Sequence, residues 1–376
     1  MDQTTRPPLT RLVRDLPATV PFVGPEALER RRGRPFTLRL GANESNFGPS
    51  PRAKEAMRAA TERVAWYGDP EGYDLRLALA RAHGVGVENV VVGAGIDDLL
   101  GLVVRTFLDR DDVAVTSLGA YPTFNYHVSG YGARLERVPY RDDRNDLEAL
   151  AVTAARSRAR LVYLSNPDNP TGTWRTAADL RLFAERLPGD CLFVLDEAYA
   201  DFAPDDAVPP VDASDPRVLR LRTFSKAHGM AGARIGYAVA ASETIAAFDR
   251  VRLHFGVSSL AQAGATASLA DRDYLRDVVA AVAAGRSDYE ELARGLGLPT
   301  LPSATNFVSI DMGGPAGARA ALDALAERGV FVRMPGAAAL DRCIRVTVGT
   351  PPERAAFAEI FAEVHAATSS RARGPL

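Results

Sequence analysis

Lys54 and Lys226 are the only lysines in a chain that carries 45 lysines and arginines together. Where a plain positive charge serves, this sequence uses arginine. Arginine stays protonated under ordinary conditions, whereas a lysine amine can lose its proton and become a nucleophile. Lys226 lies in "TFSKAHGMAGAR" (223–234), among Ala227, Gly229, Ala231, Gly232 and Ala233. Small neighbours let a bulky group approach, and they leave Ser225 and Arg234 as hydrogen-bonding anchors. Lys54 sits instead in "SPRAKEAMRAATERV", a helical pattern with a solvated charged face. Lys226 is therefore the amine available for chemistry.

Other polar groups stand where apolar runs end. "LVYLSNPDNPTG" places Asn166 and Asn169 after one run, which alone is good turn chemistry. "CLFVLDEAYADF" ends another with Asp196 and Glu197, followed by Tyr199. A carboxylate at the end of a buried strand needs a partner, and capping the next helix would equally supply one. After "NVVVG" come Ala94, Gly95, Ile96 and Asp97, opening a helix whose free N–H groups and dipole suit an anion. By itself this is also an ordinary strand-to-helix turn. Taken together, an amine, a carboxylate, a phenol, a carboxamide and an anion site match the needs of pyridoxal 5'-phosphate. That cofactor requires an amine for a Schiff base and an acid that keeps its ring nitrogen protonated. No metal-ligand cluster is expected.

The elements that must position these groups alternate. β-rich runs "NVVVG" (89–93), "DVAVTS" (112–117), "ARLVYLS" (159–165), "CLFVLDE" (191–197), "VLRLRTF" (218–224) and "IGYAVA" (235–240) are separated in several places by helix-length segments. Near-continuous apolar strands between helices predict an α/β fold with a mainly parallel central sheet flanked by helices. Ligands then bind outside the carboxyl ends of the strands. A long Ala-rich stretch, 260–297, reads as helical and able to link two units. "TNFVSID", "VFVRM" and "CIRVTVG", with helical patterns between and after them, predict a smaller α+β domain. The expected division is an N-terminal arm and part of the small domain at 1–50, a large cofactor-binding domain at 51–255, and a linker helix with the C-terminal small domain at 256–376.

Composition excludes little but agrees. Hydrophobic residues at 47% and charged residues at 24% are ordinary for a soluble globular chain. A formal charge of -2 gives no electrostatic reason to expect nucleic acid or an anionic membrane as partner. Cys191 and Cys343 lie in apolar runs and read as reduced core residues of a cytoplasmic protein. No signal-peptide-like or membrane-spanning stretch is visible.

From about residue 20 to about residue 365 the sequence resembles the fold-type I pyridoxal-phosphate enzymes, and within them the class I/II aminotransferases nearest to the histidinol-phosphate group. The resemblance rests on an ordered set: "NESNFGPSP", "WYGDPEGYDLRLALA", "GAGIDDLL", "NPDNPTG", "DEAYADF", "FSKAHGMAGARIGY" and "IRVTVG". It implies that Lys226 carries the cofactor and moves the proton at the substrate α-carbon. It implies that Asp196 pairs with the pyridine nitrogen and that Asn169 and Tyr199 bond the phenolic oxygen. Ser225, Arg234 and the amides of Gly95, Ile96 and Asp97 would hold the phosphate, with Tyr121 stacked on the ring. Tyr67 would reach the phosphate of a neighbouring subunit, which implies a homodimer. Arg345 would grip a substrate carboxylate or phosphate. Asn43, Phe22 and His228 complete the expected substrate-side residues.

Departures from that pattern bear on the substrate. Phe22-Val-Gly-Pro25 stands where the group carries a tyrosine, Ile96 where serine is usual, His254 and Gly256 where proline and asparagine are common, and His228 where an aromatic is common. The implied activity is transfer of an amino group between an amino acid and a keto acid or phosphorylated ketone. Decarboxylation or oxidation of an amino acid is the alternative on the same cofactor. A non-catalytic regulatory module is not expected, because only ~40 residues precede the first motif, too few for an added DNA-binding domain.

Overall fold

Apolar runs that alternate with helices fold here as one sheet buried on both faces, beside a smaller sheet. The computed structural model describes residues 7–17 and 22–372. Its strands are β1 (Leu38–Arg39), β2 (Val90–Gly93), β3 (Val113–Ser117), β4 (Arg134–Val138), β5 (Leu161–Ser165), β6 (Leu192–Asp196), β7 (Val218–Thr223), β8 (Gly236–Val239), β9 (Phe307–Asp311), β10 (Val330–Phe331) and β11 (Cys343–Thr347). The large sheet runs β2-β8-β7-β6-β5-β3-β4. β8 is antiparallel to both its neighbours, and every other pairing is parallel.

The pleat divides each strand between two faces. On one face Leu161, Tyr163, Leu192, Val194, Leu219 and Leu221 meet Leu99, Leu100 and Val103 of the helix Ile96–Phe107. Each such fully buried side chain contributes ~1.5–3 kcal/mol relative to exposure. On the other, Val162, Leu164, Phe193 and Leu195 meet the helices Leu147–Ser157 and Ala177–Arg186. A further cluster on Val90, Val92, Tyr237 and Val239 is covered by the helices Tyr73–His83 and Ser259–Ala270. β4 is an addition to the sequence reading. Its residues "RLERV" are only partly buried, as suits an edge strand that carries charge rather than a continuous apolar run.

In the smaller sheet β1 pairs with β10 and β9 with β11, and a bridge between Arg333 and Arg345 joins the two pairs. Leu38 and Leu40 share a core with Phe307, Val308, Ile344, Val346, Phe357 and Phe361. The Ala-rich stretch forms two helices that break at Asp271. Ser259–Ala270 gives Ala261 and Ala265 to the large-sheet side, and Arg272–Gly295 gives Val278, Val282 and Tyr289 to the small core. Cys191 and Cys343 are buried and free. No helix among the described residues is long and apolar enough to cross a membrane.

Candidate active site

Register sets the site. Ser165 pairs with Asp196, and Asp196 with Leu221, so β5, β6 and β7 end level and release their next residues along one edge. A cleft of about 920 Å³ opens there, between that edge and the small sheet. Lys226, Asp196, Asn169, Tyr199, Tyr121, Ser225, Arg234, Ile96, Asp97, Arg345, Asn43 and Phe22 all line it.

At its floor Asp196 is buried; its Oδ2 accepts from Tyr163 Oη at 2.7 Å and its Oδ1 from the Ala198 amide at 3.0 Å. No ion pair reaches Asp196 among the described residues. Burial pushes its carboxyl up to about 6, and the hydrogen bonds from Tyr163 and Ala198 only partly oppose that. Neighbouring Glu197 faces the opposite way, because successive side chains leave a strand on opposite faces. There it takes two hydrogen bonds from Arg220, at 2.9 and 2.5 Å, and one from Arg222 at 3.1 Å. Burial works to raise the Glu197 carboxyl, but Arg222 and Arg220 outweigh it and hold it below the usual range.

Lys226 Nζ donates to the Asn43 carbonyl at 3.0 Å and lies 5.6 Å from the centre of the Tyr199 ring. Tyr199 Oη receives Asn43 Nδ2 at 2.9 Å and Asn169 Nδ2 at 3.3 Å. Asn169 Oδ1 in turn accepts from Arg345 Nη1 at 2.5 Å. Arg345 is half-buried, has no carboxylate partner among the described residues, and its Nε has no acceptor there. Desolvation lowers its guanidinium to about 10. Arg333 stands beside it: Arg333 N donates to Arg345 O at 3.2 Å, and Arg333 Nη2 donates to Val23 O at 3.0 Å. Arg333 was not singled out from the sequence. Its one local signal is its place after the short strand in "VFVRM". Phe22 packs against Tyr121, ring centres 6.0 Å apart, and lies under the Arg333 guanidinium at 5.9 Å.

The opposite end is an anion cradle. Gly95 precedes the helix Ile96–Phe107 with φ 91, and a Cβ there would meet Arg234 Nη2 at 2.5 Å. Only glycine allows both that backbone and that approach. The Gly95 amide already donates to Gly93 O at 2.8 Å, while the Ile96 and Asp97 amides belong to the helix's unpaired first turn. Asp97 accepts from Tyr121 Oη at 3.0 Å and from Arg234 Nη2 at 3.3 Å. Burial first, and Asp97 second, raise the Tyr121 phenol above its ordinary range, so it remains a donor. The Ser225 amide donates to Thr223 Oγ1 at 3.0 Å, which turns the two hydroxyls toward each other at 2.9 Å.

Two expected residues are elsewhere. His228 is buried outside the cleft wall, its Nδ1 sharing a hydrogen bond with Ser268 Oγ at 2.8 Å and its ring 4.7 Å from Phe224. It thus sits as a hydrogen-bonded core histidine, and burial lowers its pKa. Tyr67 is 83% exposed, packed on Phe255 at 4.7 Å, away from the cleft of its own chain.

Residues 37–361 match the model of the family described as aminotransferase class I and II. The chain is 36% identical over 324 residues to histidinol-phosphate aminotransferase 1 of Mesorhizobium japonicum, covering 85% of this chain and 88% of the relative. It is likewise 36% identical over 354 residues to histidinol-phosphate aminotransferase 2 of Carboxydothermus hydrogenoformans, covering 92% and 96%. Among solved structures, the histidinol-phosphate aminotransferase of Sinorhizobium meliloti in complex with pyridoxal-5'-phosphate superposes with a TM-score of 0.93 at 48% identity, covering 97% of this chain and 100% of that one.

Proposed function

The chain belongs to the aminotransferase class I and II family and is a pyridoxal-phosphate-dependent aminotransferase; we propose that one of its substrates is a phosphorylated amine of the histidinol-phosphate type. The residues of the cleft fit the cofactor. Asp196 is a buried carboxylate without a cation, and a protonated ring nitrogen supplies one. The cradle at Ile96 and Asp97 suits a phosphate, and among the described residues the Lys226 amine donates a hydrogen bond to a backbone carbonyl and faces no carboxylate. When bound, the cofactor supplies a reversible hold on an amino group and an electron sink for the α-carbon beside it.

Each side chain then has a task. Lys226 Nζ would hold the cofactor and, when free, could carry a proton to and from the substrate α-carbon. Asp196 would keep the ring nitrogen protonated, with Tyr163 fixing the carboxylate's orientation. Asn169 and Tyr199 would serve the phenolic oxygen and Tyr121 the ring. Ser225, Arg234 and the Gly95-Ile96-Asp97 turn would hold the phosphate. Arg345 and Arg333 grip the substrate's anion, and the observation that carries the phosphorylated-substrate reading is this adjacent pair, neither facing a carboxylate. Phe22 closes the substrate side.

The reading extends to a cytoplasmic homodimer, with an arm and part of the small domain at 1–50, a large domain at 51–255, and the linker and rest of the small domain at 256–376; of these, 1–6, 18–21 and 373–376 lie outside the described residues. Free buried cysteines suit a reducing compartment. Exposed Trp66, Tyr67, Leu253 and Phe255 offer an apolar face to a second copy, whose phosphate site Tyr67 would complete. The test is a spectral screen of the holoenzyme against amino acids, histidinol phosphate included. Histidinol phosphate is expected to convert the visible cofactor band and leave pyridoxamine phosphate. A band that only unphosphorylated amino acids convert refutes the substrate proposal.

A further inference from the structure

We infer that Asn43 is a positioning residue that commits the Tyr199 hydroxyl to donate into the cleft. A phenol hydroxyl has one proton to donate and an oxygen that accepts. The Tyr199 oxygen already accepts two amide hydrogens, from Asn43 Nδ2 at 2.9 Å and Asn169 Nδ2 at 3.3 Å. Its proton is therefore left for the cleft, which Tyr199 lines. The orientation of each amide is set by a third group. Arg345 has only donors, so Asn169 must turn its oxygen to Arg345 and its nitrogen to Tyr199. The Thr347 hydroxyl donates to Asn43 Oδ1 at 3.3 Å while accepting the Asn43 backbone N–H at 3.0 Å, which leaves Nδ2 for the phenol.

Asn43 is built to hold that pose. It is 2% exposed, and its φ of 54 lies in the left-handed region that asparagine tolerates better than most residues. Its carbonyl accepts from Asn306 Nδ2 at 3.1 Å and from Lys226 Nζ at 3.0 Å. Thr347 and Asn306 belong to the small-sheet side, whereas Tyr199 and Lys226 stand on the large-sheet edge. Asn43 thus joins one side of the cleft to the other through the two groups nearest the chemistry. A direct substrate contact gives way to a role through Tyr199. The charges facing that phenol are Lys226, against its ring, and Arg345, through Asn169.

The inference rests on the cofactor reading, since the acceptor for the Tyr199 proton is the cofactor's phenolic oxygen. Its readout is the pH midpoint at which the holoenzyme's visible band changes. A donor to that oxygen lowers the midpoint, so weakening the donor raises it. Asn43→Gly suits the backbone and removes only the amide; an upward move of about 0.5–1 pH unit corresponds to one modest hydrogen bond. Asn43→Asp should raise the midpoint further, because a carboxylate takes the Tyr199 proton for itself. Thr347→Val, which leaves Asn43 in place, should give a smaller rise. In a Tyr199→Phe background Asn43→Gly and Thr347→Val should move nothing further, and Asn43→Asp should keep only the rise that its charge beside Lys226 gives directly. An unchanged midpoint in Asn43→Gly, or the same rise from Asn43→Gly in the Tyr199→Phe background, overturns the inference. A parent holoenzyme without a visible band overturns the cofactor reading beneath it instead.

Discussion

Replacing Asp196 by asparagine should make the cofactor-free protein gain stability on its parent as pH rises, while it disables the enzyme. Asp196 is 4% exposed, bonded to Tyr163 and Ala198 but to no cation, and its carboxyl rises from 3.8 to about 6. Below about pH 4 the carboxyl is protonated in folded and unfolded chains alike, and it costs nothing. Between about pH 4 and 6 the unfolded carboxyl ionises and the folded one resists, so stability falls as pH rises; above about 6 the penalty is complete. The gap is worth ~3 kcal/mol. Asparagine can keep the Ala198 bond through Oδ1, but Nδ2 turns Tyr163 Oη from donor to acceptor and leaves that buried hydroxyl proton without its partner, a cost of ~1–3 kcal/mol that does not depend on pH. It also relieves repulsion from Asp97 and Glu197. In thermal unfolding of the two cofactor-free proteins, the variant should gain roughly 4 °C on the parent between pH 4 and pH 8, which is what ~3 kcal/mol gives for a chain of this length. Added pyridoxal phosphate should stabilise the parent more than the variant, because only the parent has a charge for the ring nitrogen to meet. A difference between the two proteins that is the same at pH 4 and pH 8 refutes the reasoning, since only ionisation of this carboxyl gives it that pH dependence.

Other perturbations probe the remaining groups. Lys226→Ala and Lys226→Arg should both abolish turnover and the visible band, because arginine keeps the charge and not the amine; turnover by either would remove the mechanism. Arg333→Met should raise KM for a phosphorylated substrate by ~10–100-fold, the loss of one charge-assisted contact, with little change for a monoanionic amino acid. Steady-state kinetics on both substrates separates this from Arg345→Gln, which should impair both. Gly95→Ala places a side chain at φ 91 and against Arg234. It should cost ~1–3 kcal/mol in stability and weaken cofactor retention, measured by unfolding and by dialysis.

Much of this molecule was legible in the order of its residues. Six apolar runs announced six strands of the large sheet, because a strand buried on both faces has no freedom to be polar. The rarity of lysine marked Lys226, and strand-end position gathered Asp196, Asn169, Tyr199 and the Gly95 turn, since strands in register deliver their ends to one edge. β4 escaped because an edge strand needs no continuous apolar run. The reversal of β8 escaped because apolar content does not encode direction. Spacing to Lys226 suggested that His228 reaches the cleft, but the chain turns after Lys226 and carries the imidazole to Ser268. Asp196 and Glu197 are neighbours in sequence and opposites in space, one under the cleft and one clamped by Arg220 and Arg222. The sequence by itself determined which chemical groups the protein owns and which local elements carry them, because those depend on residue type and short-range periodicity. Only the tertiary structure decided which groups meet: Tyr163 with Asp196, Arg333 beside Arg345, and Asn43 between Thr347 and Tyr199. Those contacts span from 12 to more than 300 residues of chain, and they are fixed by register, pleat and the packing of one sheet against another.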